Sequence, residues 1–139
     1  MKNIFCIENQ IDILKSCYKK VEIEKGGATY KTVQNCIMSG IAMFSLKYPS
    51  LLQFNESRNE EPISHNLKSL YKINFIPSDT YMREVLDEVS PDRLRSGYKG
   101  LFRLLQSSKK LRQYQCIGDS YLLAIDGTGF FKSKGSSQN

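Results

Sequence analysis

Apolar side chains recur every three or four positions along most of this chain, and that rhythm stops near Gly118. The change constrains the fold more than any bulk property does. A 3.6-residue period belongs to helices that bury one face, whereas a short unbroken apolar run between turn residues belongs to a strand. Ile11, Leu14, Tyr18 and Val21 keep the helical period and stop before Gly26-Gly27, a strong breaker. Between residues 30 and 46 the stripe is Val33, Ile37, Ile41 and Phe44. It ends ahead of Pro49, because the residue before a proline is pushed away from helical geometry. Leu51, Leu52 and Phe54 are expected to cap that core, and the polar residues 55–61 read as a loop closed by Pro62. A third helix is expected from 64 to about 73, with Leu67, Leu70 and Tyr71 turned inward.

Two helix starts are explicit. Ser78 in Pro77-Ser78-Asp79 offers its side-chain oxygen to the free amides of a first turn, and Asp79 sits at the positive end of the dipole. Ser90-Pro91-Asp92 repeats the device, with Pro91 at the first helical position, where an N–H would go unused anyway. The first of these helices should bury Tyr81, Met82, Val85, Leu86 and Val89. The second, from 91 to about 106, should bury Leu94, Tyr98, Leu101, Phe102 and Leu105. Beyond Gly118, the run Tyr121-Leu122-Leu123-Ala124-Ile125 reads as a strand buried on both faces, and Phe130-Phe131 opens a second strand after Asp126-Gly127-Thr128-Gly129. Residues 132–139 are polar and serine-rich and are expected to be disordered. The expected fold class is therefore mostly α. Residues 1–117 form a helical region, and 118–139 supply one β-hairpin and a tail. A lone hairpin is marginal and leaves an apolar edge open, as if a larger sheet had been cut short.

Charge divides the chain at the same end. Up to Ser90 eleven Lys or Arg balance eleven Asp or Glu, whereas from Pro91 nine basic residues face three acidic ones, 9 − 3 = +6, the whole net charge. Arg93, Arg95, Lys99, Arg103, Lys109, Lys110 and Arg112 fall between 93 and 118 with no acid among them. Such an excess suits a surface that meets phosphates, and it equally suits a solvated helix face. Four phosphate contacts among the seven would give log K a slope of about −3.6 against log salt.

Several function classes drop out. The longest uncharged stretch, 32–46, is shorter than the roughly 20 apolar residues of a membrane span and contains Gln34 and Asn35, so no membrane role is expected. No signal-peptide core stands at the N-terminus, and a cytoplasmic chain is expected. Cys6, Cys17, Cys36 and Cys116 are far apart, against a thiolate zinc site and in favour of free thiols in a reducing compartment. There is no phosphate-binding glycine loop, and His65 lies in a polar stretch with no assignable acid partner.

Asp126 remains. An aspartate ending a buried strand is held at the edge of a sheet where metal and ligand sites gather, and hard cations such as Mg²⁺ take carboxylate oxygens. Asp-Gly between apolar runs is also the strongest short hairpin signal, and that reading asks for no chemistry.

From Ile76 onward the chain resembles the DDE transposases of bacterial insertion sequences. The resemblance rests on Pro77-Ser78-Asp79-Thr80-Tyr81-Met82-Arg83 with Leu86-Asp87-Glu88-Val89, then on Pro91, Leu94, Leu101-Phe102 and Leu104-Leu105-Gln106. It closes on Gly118 and Tyr121 to Thr128. It implies a helical N-terminal region followed by the start of an RNase H-like α/β catalytic domain from 118. Asp126 would then be the first catalytic, metal-binding carboxylate, with Mg²⁺ as cofactor and DNA as partner and substrate. Two ions held by three carboxylates would activate the attacking oxygen and stabilise the leaving one. This chain departs from that pattern because no Asp or Glu follows Asp126. The implied function is DNA binding and transposition by metal-dependent phosphodiester transfer, with this chain catalytically incomplete by itself. A stand-alone helical nucleic-acid-binding or regulatory module without catalysis is the alternative. An oligomer is compatible with the sequence, but nothing in it specifies one.

Overall fold

The structure, a computed structural model, describes residues 4–23 and 27–122. Six α-helices run in chain order: α1 (Ile7–Cys17), α2 (Tyr30–Ser45), α3 (Leu51–Ser57), α4 (Ile63–Ser69), α5 (Asp79–Asp87) and α6 (Pro91–Ser107). A 3₁₀ turn (Lys110–Tyr114) then leads into β1 (Gln115–Ile117) and β2 (Ser120–Tyr121), which pair antiparallel. The described residues are mostly helical with one small hairpin, the fold class that the periodicities predict.

α1 packs on α6 and α2, while α5 lies against α2 and α3. Their shared interior holds Ile11, Leu14 and Tyr18 from the first segment, Val33, Cys36, Met38 and Ala42 from α2, and Met82 and Val85 from α5. α1 ends at Cys17, earlier than the apolar period suggests, yet Tyr18 and Val21 stay buried beyond its end. Thr29, Ser50 and Ser78 cap α2, α3 and α5 by accepting the backbone N–H three residues on. Ser90 stands at the N-cap of α6 without a side-chain bond, so Pro91 and the first-turn carboxylate of Asp92 mark that start. α2 closes as the nearby Pro49 requires. The N–H of Tyr48 reaches the carbonyl of Met43, that of Lys47 reaches Phe44, and Lys47 takes a left-handed backbone (φ 60°).

The structure corrects several expectations. Leu51 to Ser57 forms a helix, although residues from 55 read as loop. Burying Phe54 secures it, while Leu52 on the opposite side is exposed. The Arg58 guanidinium, also inside the expected loop, donates to the carbonyls of Ile76 (2.8 Å) and Pro77 (2.5 Å), tying the end of α3 to the approach to α5. On α2 the inward side runs through Cys36, Met38 and Ala42, which leaves Phe44 74% exposed. Tyr81 on α5 is partly exposed, at 38%.

α6 differs most. Its buried positions are Gly97 and Leu104, with Leu94 and Leu101 packed at the margin of the core. Tyr98 and Phe102, expected inside, are 67% and 53% exposed. The cause is the glycine surface of the helix. A Cβ on Gly97 would lie 2.0 Å from the Tyr18 hydroxyl, and one on Gly100 would lie 2.7 Å from Ile13 Cγ2. α1 therefore settles on the Gly97/Gly100 side, and the aromatic residues turn outward.

The described hairpin turns at Gly118, in a left-handed conformation (φ 58°), and lies ahead of the turn expected at Asp126. Its strands are exposed, and Leu122 is 82% exposed. The expected strand from Leu123 to Ile125, Asp126 with its turn, and Phe130-Phe131 lie outside the described residues.

Candidate nucleic-acid interface

The fold sorts the seven basic residues by position rather than leaving them as a uniform run. All seven are exposed. Arg95, Lys99 and Arg103 lie four apart on α6, so a 3.6-residue helix stacks them in one row on the side opposite Gly97 and Leu104. Arg93 shares the side of Gly97, one turn ahead of it, and stands apart from that row. Lys109 turns the chain after α6 through a left-handed conformation (φ 58°), and Lys110 and Arg112 follow on the 3₁₀ turn. Cationic side chains thus run along the outer ridge of α6 and past its C-terminal end.

One acid interrupts the row at its start, where Asp92 accepts from Arg95 at 2.8 Å. Both partners are well exposed, so this bond contributes about 0–1 kcal/mol and does not lock Arg95 away from a phosphate. Lys99 and Arg103 carry no ion pair among the described residues.

Beside the cations runs a second row. Tyr98 and Phe102 are also four apart and adjoin Lys99 and Arg103, and with Gln106 these side chains line a shallow depression. The sequence pattern placed both rings in the core. The spacing that could have corrected it is Leu94, Gly97, Leu101 and Leu104, a tighter 3-4-3 stripe whose glycine slot admits a neighbouring helix.

A larger hollow of about 520 Å³ opens among α1, α2, α5 and α6, lined by apolar side chains including Leu14, Ile37, Ile41, Phe44, Leu86 and Leu101. Tyr98 also lines it, and two of its other polar side chains are engaged. Tyr18 donates to the Leu94 carbonyl at 3.0 Å, and Ser45 bonds Tyr71 at 2.5 Å. Burial first, with Tyr98 and Cys17 adding to it, pushes the Tyr18 phenol up to about 12. Burial likewise raises the Cys36 thiol to about 11. Both are structural groups held neutral.

Asp126, the expected catalytic and metal-binding residue, lies outside the described residues. Among the described residues no three His, Cys, Asp or Glu side chains converge on a point that could hold a metal ion. This part of the molecule offers no two-metal clamp. The cysteines are all free, with Cys36 buried and Cys116 exposed, and His65 is exposed on α4. No described helix is long and apolar enough to cross a membrane. No protein-family model, curated protein or solved structure significantly matches the chain.

Proposed function

We propose that this chain binds DNA through the outer face of α6 and the basic turn that follows it, as the N-terminal portion of a DDE-type insertion-sequence transposase. The observation that carries the binding claim is the row Arg95, Lys99 and Arg103, exposed on one side of a single helix and continued by Lys109, Lys110 and Arg112. A rigid helix holding cations at regular spacing contacts successive phosphates without reading bases, which positions a protein on DNA and confers little sequence preference. The wider reading is supported by the order Pro77 to Arg83, Leu101-Phe102 and Tyr121 to Thr128, together with a mostly helical described region ahead of Asp126. It places the chain in the cytoplasm, where its four thiols stay reduced.

In this reading Asp126 would be one carboxylate of a two-Mg²⁺ centre, and the remaining carboxylates are not among the residues that follow it. One carboxylate cannot clamp two ions, so the chain alone binds DNA and leaves its phosphodiesters intact. The alternative, a helical binding module with no catalytic descent, is favoured by the same basic face and differs only in what Asp126 does.

The test is fluorescence anisotropy with a labelled random-sequence duplex. Arg95→Gln, Lys99→Gln and Arg103→Gln together should weaken binding at least about tenfold at low salt, since each removes a phosphate contact. Unchanged affinity with an intact fold removes α6 from the function. Supercoiled plasmid incubated with the protein and Mg²⁺ should stay supercoiled. Nicking that disappears with Asp126→Asn would contradict the incompleteness of the centre.

A further inference from the structure

We infer that the outer face of α6 takes a single-stranded nucleic acid, with bases stacked on Tyr98 and Phe102 and phosphates held by Lys99 and Arg103. This rests on the reading of α6 as a nucleic-acid face and names the form of strand that fits it. Two observations select single over double strand. The first is exposure: both rings are more than half open to solvent, on the side of α6 that the close packing of Gly97 and Gly100 against α1 turns outward. Rings flanked by cations are what an unpaired base requires, because every base has a π face to stack and every nucleotide a charge to neutralise. A duplex hides its base faces in its own stack and presents phosphates and groove edges, so two exposed rings would add nothing to its binding.

The second observation is register. Tyr98 and Phe102 are one helical turn apart, and Lys99 and Arg103 repeat that step one residue on. Residues four apart on a helix have Cβ atoms about 5–6 Å from one another. Adjacent bases in a B-form strand rise by about 3.4 Å, so rings at the wider step suit a stretched, unpaired strand whose bases have parted. The rows are parallel, which puts bases on one side of the ridge and backbone on the other, with Gln106 closing the depression. Arg95 extends the cationic row one turn towards the start of α6.

The experiment uses the full chain, labelled oligothymidine and a labelled duplex of equal length. Tyr98→Leu with Phe102→Leu retains apolar, helix-compatible side chains at exposed positions, and circular dichroism should report an unchanged fold. The expected result is a loss of oligothymidine affinity of at least about tenfold, with duplex affinity within about twofold of the parent. Quenching of tyrosine fluorescence by oligothymidine should disappear with Tyr98→Leu. Equal losses on both ligands, or no loss on either, overturn the inference. Lys99→Gln with Arg103→Gln separates the two claims: if it weakens duplex binding while the leucine pair leaves oligothymidine binding untouched, the DNA face stands and the stacking inference falls. If neither pair alters binding to either ligand, both fall. A concentration-dependent dimer that the leucine pair dissociates, with no oligothymidine binding, assigns the rings to self-association and also overturns the inference.

Discussion

Tyr18 and Gly97 fill one another's space: a methyl group on Gly97 would stand 2.0 Å from the Tyr18 hydroxyl and 2.3 Å from its ring carbon Cζ. The ring cannot retreat, being 1% exposed and anchored by its bond to the Leu94 carbonyl. Alanine normally gains about 1 kcal/mol over glycine in a helix, whereas overpacking a core costs about 1–3 kcal/mol. With a clash this deep the second effect wins. Gly97→Ala should lower stability by about 1–2 kcal/mol in urea unfolding. Tyr18→Phe should not rescue it, because Cζ remains. Gly100→Ala, which meets the half-buried side chains of Ile13 at 2.7 Å and Cys17 at 3.4 Å, should cost less than Gly97→Ala.

Alkali should expose the same contact. The phenol of Tyr18 rises from an ordinary 10.0 to about 12, and the thiol of Cys36 from 9.0 to about 11, both chiefly through burial. Each is neutral in the fold, so each stabilises fully below its unfolded value. That contribution is lost as pH climbs towards the folded one, because the unfolded chain ionises first. The urea midpoint should therefore fall between about pH 9 and 12. Cys36→Ala should flatten the lower part of that fall and Tyr18→Phe the upper part. A profile that Tyr18→Phe leaves unaltered would contradict this assignment.

The two serine starts should separate on mutation. Ser78 accepts from the Tyr81 N–H at 3.4 Å, a long bond, whereas Ser90 makes no such bond. Ser78→Ala should cost about 0.5–1 kcal/mol and Ser90→Ala less than about 0.5 kcal/mol, measured by thermal denaturation. Equal losses would mean that the hydroxyl of Ser90 reaches the first turn of α6 in solution.

Much of this was legible from residues alone. The periods of Ile11–Leu14–Tyr18 and Val33–Ile37, the stop before Pro49, and the starts at Ser78 and Pro91 all depend on local chemistry that neighbours do not overrule. α3 was not legible, because its polar residues 55–57 say loop until Phe54 and Arg58 find tertiary partners. The facing of α6 was not legible either. Two stripes compete on that helix, one aromatic and one with a glycine in it, and a count of apolar residues favours the aromatic one. Helix approach distance decides the matter, and it depends on a residue with no side chain meeting a tyrosine about eighty positions away in the chain. The basic residues were individually visible, yet their separation into a row on α6, a group beyond its end and an isolated Arg93 needed the fold.

The central claim, that α6 meets the nucleic-acid backbone, is tested most directly by the salt dependence of duplex binding. Three contacts from Arg95, Lys99 and Arg103 give a log K against log salt slope of about −2.7, and six, with Lys109, Lys110 and Arg112 joining, give about −5.4. The parent should fall in that interval, and Lys99→Gln with Arg103→Gln should make the slope shallower by about 1.8. A slope near zero, or one that the double substitution leaves unchanged, would contradict the account.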